Sequence, residues 1–259
     1  MHRHRRESSD HLLLRRLPPA AAAVALLFAF SLPRAGDAGG NAAQPTMRTG
    51  RLTGSVAVGP ELSSRRLRFN LYPDLVQPAV AAGRPSREAE LRNVVIYLEP
   101  APPGVAAQPP SAGRPVMKQE GLAFEPHVLP VLVGSTVEFP NEDPIFHNVF
   151  SLSKAASFDL GRYPRGSSKS VRFDEPGIVK VFCHIHSDMS AVIVVLDNPF
   201  FTSPDTQGRF QIDGIPLGDY RAVGWHERAR PQVLKVRIEA GQASVLNFRI
   251  PLTEPSDGG

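Results

Sequence analysis

The chain has 259 residues, enough for one to three domains with a sizeable core, and its 26 prolines and 21 glycines suit turn-rich β structure. The formal charge is +4, but residues 1–38 hold six arginines against three acids, and the rest of the chain carries 23 basic and 22 acidic side chains. That balance gives no basis for nucleic-acid or membrane-surface binding, and a single cysteine excludes an intrachain disulfide.

Residues 1–16 are basic, residues 17–32 are uncharged and mostly apolar, and Gly36-Asp37-Ala38 supplies small residues at a cleavage position. This is the layout of a secretory signal peptide cut after about Ala38, which places the mature chain in the periplasm or outside the cell. The apolar run contains Pro18 and Pro19 and falls short of the ~20 residues of a spanning helix, so membrane attachment is expected only if the leader stays uncleaved. In an exported chain a lone thiol is open to oxidation unless something, such as a metal, holds it.

Residues 39–50 are small and polar and read as a disordered lead-in. Leu52, Gly54 and Val56, then Leu67, Phe69 and Leu71, alternate with polar or small neighbours in the period of half-buried strands. A short helix is expected over Ser86–Leu91 and a buried strand over Val94–Leu98. Six prolines between Glu99 and Pro115 mark a linker. From Val116 strands resume through Leu129–Phe139, with a turn at Gly134-Ser135. A rigid corner follows at Pro140, Asn141, Asp143 and Pro144, before His147. Residues 158–172 are basic and polar. Arg162, Arg165, Lys169 and Arg172 in this stretch read as a solvated basic loop rather than a docking face. Val171-Arg172-Phe173, Ile178–Phe182 and Ala191–Leu196 read as strands. Beyond residue 198 a tight hairpin is expected at Asp205–Gly208, and further strands at Tyr220, Val233–Ile238 and Val245–Ile250.

The only cysteine lies in Val181-Phe182-Cys183-His184-Ile185-His186-Ser187-Asp188-Met189, with a histidine three positions on and a methionine six. A thiolate, an imidazole and a thioether on one loop suit copper, whereas zinc or an oxygen-seeking ion does not call for the methionine. A mononuclear electron-transfer copper site needs a second imidazole, for which His147 is the best candidate. Each donor taken alone has a plainer reading: a buried thiol, a core methionine, a solvated histidine. The joint spacing favours the metal. His127 and His226 have no partner spacing and read as structural.

Phe124-Glu125-Pro126, Val131-Leu132-Val133-Gly134, Asn141, His147-Asn148, Pro176-Gly177 and the loop from Cys183 to Met189 together resemble the cupredoxins, the Greek-key β-sandwich family of plastocyanin, pseudoazurin and amicyanin. The resemblance covers residues 116–198. It implies His147, Cys183 and His186 as equatorial ligands of one copper ion, Met189 as the axial ligand, and Asn148 as the residue tying the two ligand loops together. Val179 departs from the family, which often has tyrosine there. The histidine-cysteine-histidine run of multicopper oxidases is absent, because Phe182 precedes Cys183. The five histidines after Ala38 are also too few for a trinuclear cluster once two are used.

Gly208-Arg209-Phe210 and Ile215-Pro216-Leu217-Gly218-Asp219-Tyr220 resemble the transthyretin-like regulatory domain of carboxypeptidases, whose opening strands are matched by Gly54-Ser55-Val56 and Val94–Leu98. The expectation is therefore an all-β chain. A smaller β-sandwich, residues 51–99 plus 199–252, is interrupted by a linker at 100–115 and the copper domain at 116–198, and ends in a flexible tail at 253–259. This layout resembles exported proteins labelled methylamine-utilisation or plastocyanin-like. The implied function is that of a blue-copper electron carrier, not an enzyme, monomeric and docking transiently with a redox partner protein. The alternatives are a copper delivery or sensing module, and an interaction protein whose copper site has lapsed.

Overall fold

The computed structural model describes residues 48–59, 86–102, 104–105 and 113–250. The expected signal segment, the strand at Leu67–Leu71 and the tail at 253–259 lie outside the described residues, as do most of the lead-in and much of the linker. In chain order the elements are β1 (Thr49–Val58), α1 (Arg87–Arg92), β2 (Val95–Glu99), β3 (Lys118–Glu120), β4 (Ala123–Glu125), β5 (Val128–Leu132), β6 (Ser135–Pro140), β7 (His147–Ser153) and β8 (Ala156–Tyr163). They continue with β9 (Ser168–Phe173), β10 (Gly177–Phe182), β11 (Ser190–Leu196), β12 (Phe201–Thr202), β13 (Arg209–Pro216), β14 (Gly218–Trp225), β15 (Gln232–Ile238) and β16 (Ala243–Ile250). The chain is all-β, with one short helix among the described residues.

Both ends of the described chain build one pair of sheets. β1 lies between β13, antiparallel to it, and β16, parallel to it, while the second sheet runs β12-β2-β14-β15. The two inner faces enclose Leu52, Val56, Ile96, Leu98, Phe210, Ile212, Ala222, Ile238 and Phe248. At Gly54 an added Cβ would lie 1.6 Å from the Leu246 carbonyl oxygen, so only glycine allows β1 and β16 to pair so closely. Pairing with the end of β13 also draws in Thr49 and Gly50, so the expected lead-in gives way to strand two residues early. The Ser86 hydroxyl caps α1 by accepting from the Ala89 N–H at 3.1 Å. The expected hairpin at Asp205–Gly208 is corrected. The turn is tight, with Asp205 accepting from the N–H groups of Gln207 and Arg209, but it connects β12 and β13, which belong to different sheets.

The middle of the chain builds a second pair of layers. A five-stranded sheet, β5-β11-β10-β7-β8, faces the β3–β4 and β6–β9 ribbons. Met117, Phe124, Val137, Phe139, Phe173, Val179, Val181 and Ile193 fill the space between. The end of the expected linker already belongs to this unit, because the Pro115 carbonyl accepts from the Glu138 N–H at 2.9 Å. Residues 158–172, read as a basic loop, are mostly β8 and β9, and two of the four cations there have partners. Arg172 pairs with Asp174, and Lys169 donates to the Leu160 carbonyl.

β11 explains how the two halves meet. Its run Ala191–Leu196 is buried at every position. Ala191, Ile193 and Val195 point into the second core, while Val192, Val194 and Leu196 pack with Val128, Val95 and Trp225, joined by Tyr97 and Phe201. A strand covered on both faces reads as an unbroken apolar run, which is how Ala191–Leu196 stands in the sequence. Burying one such side chain stabilises the fold by about 1.5–3 kcal/mol.

Candidate metal centre

Two loops at one end of the five-stranded sheet carry the donors. The first is the corner between β6 and β7. The Asn141 side chain organises it by donating to the carbonyls of Ile145 (2.8 Å) and Tyr163 (3.1 Å) and accepting from the Asp143 N–H (3.0 Å). The second links β10 to β11, and is closed by the Cys183 N–H on the Met189 carbonyl (3.2 Å) and the Met189 N–H on the His186 carbonyl (3.0 Å).

The loops bring three donor atoms together. His147 Nδ1 lies 3.1 Å from His186 Nδ1 and 4.0 Å from Cys183 Sγ, and His186 Nδ1 lies 3.8 Å from the same sulfur. A circle through three points so spaced has a radius of about 2.1 Å, close to the bond lengths of about 2.0 Å to imidazole and 2.3 Å to thiolate found for a first-row ion such as zinc. One ion therefore fits between the three with no donor displaced. Met189, expected as the fourth donor, is buried in the same apolar cluster as Cys183. His147, Cys183 and Met189 are buried, and His186 alone reaches solvent.

The supporting contacts are polar and specific. Asn148 accepts from the His184 N–H at 3.2 Å, which joins the two loops, and donates to Asp159 at 2.6 Å. His184 is half-exposed and stacks on Phe150, with ring centroids 3.7 Å apart and planes within 4°. Burial, followed by the neighbouring His147 ring, pushes His186 below the ordinary imidazole value, which favours the neutral ring with one nitrogen lone pair free.

Asp143 was legible in the sequence only as part of a rigid corner. Its Oδ2 accepts from His147 Nε2–H at 2.8 Å, and it also accepts from the N–H groups of Gly121 (2.7 Å) and Leu122 (2.9 Å). Burial raises its carboxyl pKa, but the Leu122 amide, the His147 ring and the Gly121 amide outweigh burial and hold it below the usual range. A carboxylate four residues before a candidate ligand histidine was the available signal, though without helical geometry that spacing has no fixed meaning. His127 and His226 lie away from the donors. His127 Nε2 faces Glu227 at 2.7 Å and His226 Nε2 faces Glu90 at 3.1 Å.

No family model matches the chain, and no curated protein matches it. Among solved structures it is similar in part to a copper-containing nitrite reductase from Thermus scotoductus, with 27% identity and a TM-score of 0.33 over 36% of this chain and 26% of that one. The chain thus spans about a quarter of that reductase's length. It is also similar to a purple cupredoxin from Nitrosopumilus maritimus, with 21% identity and a TM-score of 0.29 over 32% of this chain and 99% of that one. A variant of amicyanin in its Cu(I) form is similar at 24% identity and a TM-score of 0.31, over 39% of this chain and 98% of the amicyanin.

Proposed function

We propose that the chain is an exported mononuclear copper protein that carries electrons, with His147, Cys183 and His186 as equatorial ligands and Met189 as the axial one. One observation carries the reading: two imidazole nitrogens and one thiolate sulfur, delivered by loops 36 residues apart, converge around a single point. Two histidines, a cysteine and a methionine are the donor set of electron-transfer copper. When bound, the copper supplies a one-electron couple.

The chain's own residues do the rest. His147 and Cys183 are buried and braced, so they hold one geometry whichever charge the site carries. His186 joins the buried cluster to the surface and is the electron port. Phe146 and Ile145, 55% and 41% exposed, give the neighbouring surface an apolar character suited to weak, brief docking. The sheets built by β1, β2 and β12 to β16, whose sequence resembles a carboxypeptidase regulatory-like sandwich, act as a support or a partner-binding unit. The leader at 1–38 directs export, to the periplasm or beyond.

Voltammetry on the copper-loaded chain, alongside chelator competition, tests the carrier reading. A reversible one-electron wave with slow metal loss is expected. Rapid surrender of copper to a chelator, with no reversible wave, would replace carriage with copper delivery.

A further inference from the structure

We propose that the β3–β4 hairpin is a positioning element for the donor cluster, acting through Asp143 on His147. This inference rests on the copper reading above. The hairpin turn is Gly121-Leu122, and both residues are left-handed, with φ of 63° and 60°. A turn with two positive φ values favours asparagine and glycine. A leucine in that conformation is strained by about 1–2 kcal/mol. Leu122 is 46% exposed, so packing does not offset the strain.

The strained conformation aims two consecutive N–H groups at one carboxylate. Gly121 donates to Asp143 Oδ1 and Leu122 to Oδ2, and Oδ2 also takes the His147 Nε2–H. The hairpin grips the same corner through the Glu142 N–H on the Gln119 carbonyl, at 2.9 Å. Asp143 is 8% exposed and His147 fully buried, so little water competes for these bonds. The chemical consequence is a fixed tautomer. With Nε2 protonated and bound, His147 has its free lone pair on Nδ1, the atom that faces Cys183 and His186. The carboxylate behind the ring also favours the more highly charged state of any ion held in front of it, which lowers the reduction potential of a bound couple.

The test compares the mature chain with Asp143→Asn and Leu122→Pro, each loaded with one equivalent of Cu(II) after circular dichroism has shown it folded. Asp143→Asn should lose about 10–100-fold in Cu(II) affinity, and each tenfold loss confined to Cu(II) raises the potential by about 59 mV. Leu122→Pro removes one of the two N–H groups on Asp143 and cannot hold the left-handed φ, so it should weaken Cu(II) binding and raise the potential in the same direction as Asp143→Asn. A folded Leu122→Pro protein with parent affinity and potential would overturn the hairpin's role. A folded Asp143→Asn protein with parent affinity and potential would overturn the positioning role while leaving the copper reading intact. Nitrogen NMR of the metal-free parent chain supplies a second readout. A protonated His147 Nε2 supports the relay, and a protonated Nδ1 overturns it even if the chain takes up no copper.

Discussion

Glu90 lies far from the donors, yet it is the side chain on which the junction of α1 with the β14–β15 turn depends. It is 2% exposed, accepts from His226 Nε2 at 3.1 Å, and pairs with the Arg228 guanidinium, itself 8% exposed. His226 Nδ1 accepts from the Arg228 N–H at 3.1 Å, which leaves Nε2 to donate to Glu90. Replacing Glu90 by Gln keeps the volume but leaves the buried guanidinium without this carboxylate. Removing one partner of a buried ion pair costs about 3–5 kcal/mol. In a chain of this size each kcal/mol lowers the melting temperature by about 2–4 °C, so the variant should melt about 6–20 °C below the parent at pH 7. Burial raises the Glu90 pKa, but its bonds to His226 and Arg228 outweigh this and leave it depressed. The stability it provides is therefore present above the ordinary carboxylate value and is lost as pH falls through the lowered one. Calorimetry of the two proteins from pH 7 to pH 3 reads both effects. A shift below 1 °C at pH 7, or a gap between the two proteins that does not close on acidification, would refute the argument.

Two further outcomes follow from the geometry. Gly54→Ala must push β1 and β16 apart, because the added methyl meets the Leu246 carbonyl at 1.6 Å; denaturant titration should show a loss of more than about 1 kcal/mol, and a neutral result would contradict the close pairing. The His127–Glu227 pair gives a pH dependence of the opposite sign to Glu90. Burial lowers His127, but the Glu227 carboxylate outweighs it and raises the imidazole, so that contribution is complete below about 6.5 and is lost as pH rises through the raised value. Glu227 is itself depressed, so the pair counts most from about pH 4.5 to about pH 6.5, and Glu227→Gln should flatten the melting profile from about pH 6.5 up through the raised His127 value.

The legible parts of this molecule were local patterns. The cysteine, histidine and methionine spacing from Cys183 to Met189 is set by one loop, and the alternation in β1 and β13 is set by one covered face. What escaped depends on contacts between distant segments. Glu90 meets His226 and Arg228 across more than 130 residues, so no window of sequence contains the group. Asp143 meets His147 around a corner rather than along a helix, and its second anchor is a hairpin about 20 residues earlier. Leu122 offers no signal of its left-handed conformation, since leucine ordinarily avoids it. The turn at Asp205–Gly208 was legible as a turn, but turn chemistry does not say whether the next strand returns to the same sheet.

The most direct test of the central claim is the optical and electron-paramagnetic spectrum of the mature chain with one equivalent of Cu(II), beside a Cys183→Ser control. The account predicts an intense visible thiolate-to-copper band with narrow hyperfine splitting, absent from the control. A pale, ordinary Cu(II) spectrum, or one unchanged by loss of Cys183, would contradict it.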